Sequence, residues 1–131
     1  MYVSIKGNVK EVFDAALKSA ALAALCDSIR EAVDANKNFS TKKADKVAIV
    51  LTASASVSAD DKAKPTSLKA SIAIDGLLTG GTSQAFKASG NGSIDGLNLK
   101  KLDRDVADLI DSVVAELMKN RVVPQMLKMS P

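Results

Sequence analysis

Histidine and tryptophan are absent from the 131 residues, and cysteine occurs once. Without histidine, no Ser-His-Asp triad, no Cys–His dyad and no histidine-ligated metal site can be assembled from this chain. The lone Cys26 cannot close an internal disulfide. It sits in the apolar run Ala20–Cys26 and reads as a small buried hydrophobe, a reactive or pairing thiol being the alternative. The aromatics are Tyr2, Phe13, Phe39 and Phe86, too few and too scattered to stack the bases of a single strand. No stretch reaches the roughly 18 consecutive apolar residues of a membrane-spanning helix, so no transmembrane segment is expected. The start, Met-Tyr-Val-Ser-Ile-Lys, lacks a basic region followed by an apolar core and a cleavage site. The chain therefore reads as cytosolic, or as a mature form whose export signal has been removed.

Apolar residues make up 47% of the chain and charged residues 25%, ordinary values for a folded domain. The net charge of +3 is a small excess of 18 basic over 15 acidic residues. The basic run Lys37, Lys42, Lys43 and Lys46 is interrupted by Asp45, so no nucleic-acid partner is expected. The length is that of one domain, residues 1–131, with 122–131 as a short apolar carboxy-terminal tail.

Hydrophobic period predicts the elements in the order β-α-β-β-β-α. Tyr2–Lys6 alternates and predicts a short strand, ended by Gly7-Asn8. A helix is predicted from Val9 to about Ala35, with Asn8 and Glu11 as a capping box. It carries two apolar stripes on nearly opposite sides. One is Val9, Val12, Phe13, Ala16, Leu17 and Ala20; the other is Leu22, Leu25, Cys26, Ile29 and Val33. Either the helix breaks near Lys18–Ala21 or it packs on two surfaces. Lys46–Ala59 alternates, with Val47, Ile49, Leu51, Ala53, Ala55, Val57 and Ala59 on one face and Val50, Thr52, Ser54, Ser56 and Ser58 on the other, Ala48 and Val50 blurring the polar face at its start. Ser67–Leu78 alternates too, with a bulge expected where Gly76 interrupts it. Thr79-Gly80-Gly81-Thr82 signals a hairpin turn, and Gln84–Ile94 a third long strand. Its Gly90 and Gly92 fall on the inward face, where a helix could approach closely. The last helix spans about Leu99–Asn120 and is stopped by Pro124. The predicted architecture is a two-layer α+β sandwich, an antiparallel β-meander of long strands with two long helices on one face.

Catalytic candidates are weak. Asp60-Asp61, the adjacent acidic pair, sits in a turn beside Lys62 and Lys64, where a solvated charge cluster is the default. Asp103, Asp105, Asp108 and Asp111 share a helix but lack a Glu at EF-hand spacing. Gly90-Asn91-Gly92-Ser93 has neither the third glycine nor the Lys-Ser of a phosphate loop. No catalytic, metal or cofactor residue is assigned, and the chain reads as a non-enzyme that needs no cofactor.

The segment Ile72–Met118 resembles the closing part of small bacterial envelope lipoprotein domains. These are of the type found in activators of penicillin-binding proteins and in the curli-secretion and TolB amino-terminal-like families. The resemblance rests on two long antiparallel strands, the phrase Phe86-Lys87-Ala88-Ser89-Gly90-Asn91-Gly92-Ser93 and the amphipathic helix Leu102–Leu117. It implies a non-catalytic role in periplasmic assembly and tilts the location toward the periplasm. The long Ala-rich first helix departs from that pattern, as does the lack of a lipidated Cys at the start.

The function expected is therefore a protein-binding or assembly module. Its partner-binding residues would be Leu22, Leu25, Ile29 and Val33, the second stripe of the first helix, covered by a protein partner or in a homodimer. The tail Val122–Met129 is a further outward-facing apolar feature. The alternative is a carrier of a small apolar ligand, held in a cavity between sheet and helices.

Overall fold

A computed structural model describes residues 1–44, 46–79 and 84–129. Four strands form one sheet in the order β1-β2-β3-β4. They are β1 (Tyr2–Val12), β2 (Val47–Ala59), β3 (Ser67–Leu78) and β4 (Gln84–Asp95). The helices α1 (Lys18–Asp34) and α2 (Leu102–Leu117) cover one face, and α3 (Val123–Met129) follows α2. The element order is the expected one. β2, β3 and β4 form the antiparallel meander, whereas β1 runs parallel to β2, so the sheet is mixed. The helical crossover explains the parallel pair: strands joined through a helix return in the same direction, and a hairpin cannot do this.

The main departure from expectation is at the start. Residues Val9–Val12, predicted as helix, are the second half of β1. The pairing with β2 shifts register between Val9 and Glu11: Val9 lies opposite Ala55, Glu11 opposite Ser56 and Val12 opposite Val57. Lys10 is the extra residue of a β-bulge. A bulge turns the spacing of inward residues from two to three, and apolar residues three apart mimic one face of a helix. The first stripe is thus a bulged strand plus the turn after it. Asn8 and Glu11 cap nothing. The cap is Asp14, whose side chain accepts from the Ala16 amide at 3.0 Å and opens a 3-10 turn, Ala15–Leu17, leading into α1.

With that correction α1 has a single inward face. Ala21, Ala24, Leu25, Ile29 and Val33 are buried. They pack on β1, β2 and α2, in one apolar cluster with Val3 and Val9 of β1, the inward residues of β2 (Ile49, Leu51, Ala53, Ala55, Val57) and β3 (Leu68, Ala70, Ile72, Ile74), and Val106, Leu109, Ile110, Val113, Val114 and Leu117 of α2. Val47 and Phe86 are half-buried at the margin. The odd-numbered register assigned to β2 holds, and Thr52, Ser54, Ser56 and Ser58 face out. The bulge expected at Gly76 is absent. β3 keeps step with both neighbours through Gly76, which lies opposite Leu51 and Phe86. The Phe86 ring occupies the space over Gly76 that a side chain would take, and Leu77 continues on the outer face.

Gly90 and Gly92 admit α2 as expected. A Cβ built on Gly92 would lie 2.5 Å from Val113 Cγ2, and one on Gly90 would lie 3.6 Å from Val113 Cγ1. Pro124 does not stop the last helix. Met118–Val122 forms a π turn in which the Val123 amide bonds the Met118 carbonyl, and α3 begins directly after it. The turn rolls the tail back onto the core: Val122, Met126 and Met129 are buried, and Leu127 stays exposed. From Gly80 to Thr82, the turn expected between β3 and β4 lies outside the described residues.

Candidate functional site

The stripe assigned to partner binding is core. Leu25, Ile29 and Val33 each have 0% exposure within the single chain, and Leu22 is half-buried against it. Those side chains are covered by the chain's own sheet and α2, so they offer no surface to a partner. The premise of a second apolar face on the first helix fell with the helical reading of Val9–Val12. The space between sheet and helices is occupied by one continuous apolar cluster. The hollows of 350–580 Å³ lining the described residues open to solvent, unlike the enclosed cavity a carrier of that kind requires.

The acidic candidates serve local structure. Asp60 clasps the β2–β3 turn: its Oδ1 accepts from the amides of Thr66 at 2.9 Å and Ser67 at 3.1 Å, and Oδ2 from the Thr66 hydroxyl. These donors, the Thr66 hydroxyl first, hold its carboxyl well below the usual carboxylate range. Asp34 does the same for the segment after α1, accepting from both the amide and the hydroxyl of Thr41 at 2.8 Å. Its carboxyl is also held low, first by the Thr41 amide. Asp105 accepts from the Asn98 amide at 2.8 Å, and Asp111 accepts from the Ser28 hydroxyl, tying α2 to α1. Among the described residues no three acids or thiols gather as a metal site. Cys26 is half-buried over Gly7 of β1, and burial pushes its thiol up.

What remains open is the other face of the sheet. Strand register lines its outward side chains into rows. Lys6, Thr52, Asp75 and Lys87 form one; Asn8, Ser54, Ala73 and Ser89 the next; Glu11, Ser56, Ser71 and Asn91 a third. Ser71 Oγ and Asn91 Oδ1 are hydrogen-bonded at 2.9 Å. The first two rows, Lys6 apart, line a hollow of about 560 Å³ that also takes in Lys10 and Arg121. Its charged groups are the cations Lys10, Lys87 and Arg121 and the carboxylate Asp75. Beside it Val50, Leu77, Ala85 and Phe86 line an apolar hollow of about 350 Å³, with Leu77 46% exposed. The hydroxyl row of β2 is visible in the sequence. Lys10 and Arg121 are not, since a bulge and a π turn bring them to the site and neither has a simple local signature.

No protein-family model and no curated protein sequence matches the chain. Solved structures do. Rare lipoprotein B from Shewanella oneidensis matches with a TM-score of 0.51 at 15% identity, over 98% of this chain and 95% of that one. A protein from Caulobacter crescentus CB15 described as a lipoprotein matches with a TM-score of 0.53 at 12% identity, over 97% of this chain and 93% of that one. At such identities the likeness is one of fold. It supports the broad lipoprotein resemblance and not the three narrower families. No helix of the described residues is long and apolar enough to cross a membrane.

Proposed function

We propose that this chain is a non-catalytic module of the bacterial cell envelope that seats a protein partner on the open face of its sheet. The observation that carries the reading is that face itself: Ser, Thr, Ala and Asn side chains around a hollow that holds three cations, Lys10, Lys87 and Arg121, against the one carboxylate Asp75. Short side chains let another surface come close to the pleat, and the cations favour one that presents carboxylates. The exposed Leu77 with Val50 and Ala85 supplies an apolar contact at one end. The shared fold with two bacterial lipoproteins supports the envelope setting.

A photo-crosslinking residue placed at Ser54 in the native host tests this, with the same residue at Glu31 on the outer side of α1 as control. A discrete protein adduct is expected from Ser54 alone. Ala73→Trp, which fills the face at an exposed position, should abolish the adduct while leaving the melting temperature unchanged. No adduct from Ser54, or equal adducts from both positions, would count against the reading.

A further inference from the structure

β4 has β3 on one side and no strand on the other among the described residues. A free edge is a row of unpaired amides and carbonyls, a template for another strand unless something blunts it. β1, the opposite edge, is blunted. It carries the Lys10 bulge, and its start is bridged by Ser40, with Val3 N donating to Ser40 O at 2.8 Å and Ser40 N to Met1 O at 2.9 Å. β4 has no register shift against β3 and no proline over its 12 residues. Its inward Gly90 and Gly92 lie beside α2, where a hollow of about 350 Å³ lined by Ser89, Asn91, Glu116, Asn120 and Arg121 opens along the edge, with the exposed Arg121 the one long side chain beside it at Ser89.

The charges on this edge select an occupant. β4 contains two charged residues, Lys87 and Asp95, of opposite sign and both on the outer face. They lie at equal distances in sequence on either side of Asn91. We propose that two copies of the chain pair antiparallel through β4 about a twofold axis at Asn91, placing Lys87 of each copy opposite Asp95 of the other. This register sets Ser89 opposite Ser93, Ala88 opposite Ile94 and Gly90 opposite Gly92. Outward residues meet outward residues, so the open faces join into one eight-stranded sheet, and Ile94 gains cover. Lys87 then lies between Asp75 of its own β3 and Asp95 of the other copy. The contact is isologous, and nine residues per strand place it among small, concentration-dependent interfaces. It draws on Lys87, which the open-face hollow also holds, but its test reads only association between copies and so stands or falls apart from that reading.

Light scattering from micromolar to millimolar protein should show a mass rising toward the dimer. Asp95→Lys sets like charges opposite each other twice per dimer and should raise the dissociation constant about tenfold or more. Lys87→Asp should do the same, although it also faces Asp75 and its fold is checked by circular dichroism. An equimolar mixture of the two variants makes both cross-pairs attractive and should restore association as a heterodimer. In the unaltered chain, hydrogen exchange of β4 amides should slow as concentration rises, which needs no variant. A monomer throughout the range would overturn the proposal. So would a dimer indifferent to Asp95→Lys, a mixture no better than either variant alone, or β4 exchange that ignores concentration.

Discussion

At the scale of single residues, the two inward glycines of β4 differ in a way that can be measured. Gly92 has no room for a methyl group, since its Cβ would fall 2.5 Å from Val113 Cγ2. Gly92→Ala must push α2 away or force Val113 off its rotamer, at a cost of about 1–3 kcal/mol. Gly90→Ala meets its neighbours at 3.6, 3.7 and 3.9 Å, which is ordinary contact. There the alanine should be neutral or stabilising by up to about 1 kcal/mol, because it removes glycine's freedom in the unfolded chain. The urea midpoint should therefore fall for Gly92→Ala and hold or rise for Gly90→Ala. Cys26 permits a second test. Burial is the leading cause of its raised thiol pKa, with Arg30 opposing and Asp27 adding. The nucleophile is the thiolate, so labelling near neutral pH should run slower than for a free cysteine and speed up as pH rises. Labelling as fast as an unstructured thiol would show that the surface between α1 and Gly7 is open.

Among the elements, β1 decides how the fold reads from sequence. The bulge at Lys10 is an insertion in an otherwise strict alternation, because Glu11 and Val12 resume the ladder opposite Ser56 and Val57. Deleting Lys10 should leave the melting temperature within a few degrees, since the shortened strand keeps Val9 and Val12 inward. Deleting Ser54 from the middle of β2 should unfold the protein, since a one-residue slip turns every side chain beyond it to the wrong face. The same bulge explains what was legible. Strands β2, β3 and β4 were readable because their period is two, with apolar residues on one face and mostly polar or charged ones on the other. The face of α2 was readable because a single stripe recurs from Val106 to Leu117. The stretch Val9–Leu17 was not, because three-residue spacing arises equally from a helix and from a bulged strand, and its Ala-rich continuation favours helix. That one ambiguity produced a helix with two faces, and with it a partner surface at Leu25 and Ile29 that the core absorbs. Leu25→Asp should consequently unfold the chain instead of separating a dimer. Leu25→Ala should cost about 2–5 kcal/mol.

For the whole molecule, the absence of histidine and the two carboxylate clasps together set the response to pH. Between roughly pH 5 and 8 no ordinary side chain other than histidine changes charge, so the melting temperature should be nearly flat there. Acid is different. Asp34 and Asp60 have their carboxyls lowered in the fold by hydrogen bonds from Thr41 and from Thr66 and Ser67. In the unfolded chain they return to the ordinary aspartate value of about 3.9. The unfolded state therefore binds more protons than the folded one once pH drops below about that value, so stability rises with pH in this window. Their contribution is complete above the unfolded value and is lost as pH falls toward the folded values. Both clasps close connections between elements, Asp34 where the chain leaves α1 for β2 and Asp60 across the β2–β3 turn. Melting curves taken at neutral pH and at successively lower pH below about 4 should show a steep loss. The Asp34→Asn, Asp60→Asn double variant should start less stable at neutral pH and lose less on acidification, because its clasp positions no longer titrate. Equal acid sensitivity in the two proteins would mean that other carboxylates govern unfolding.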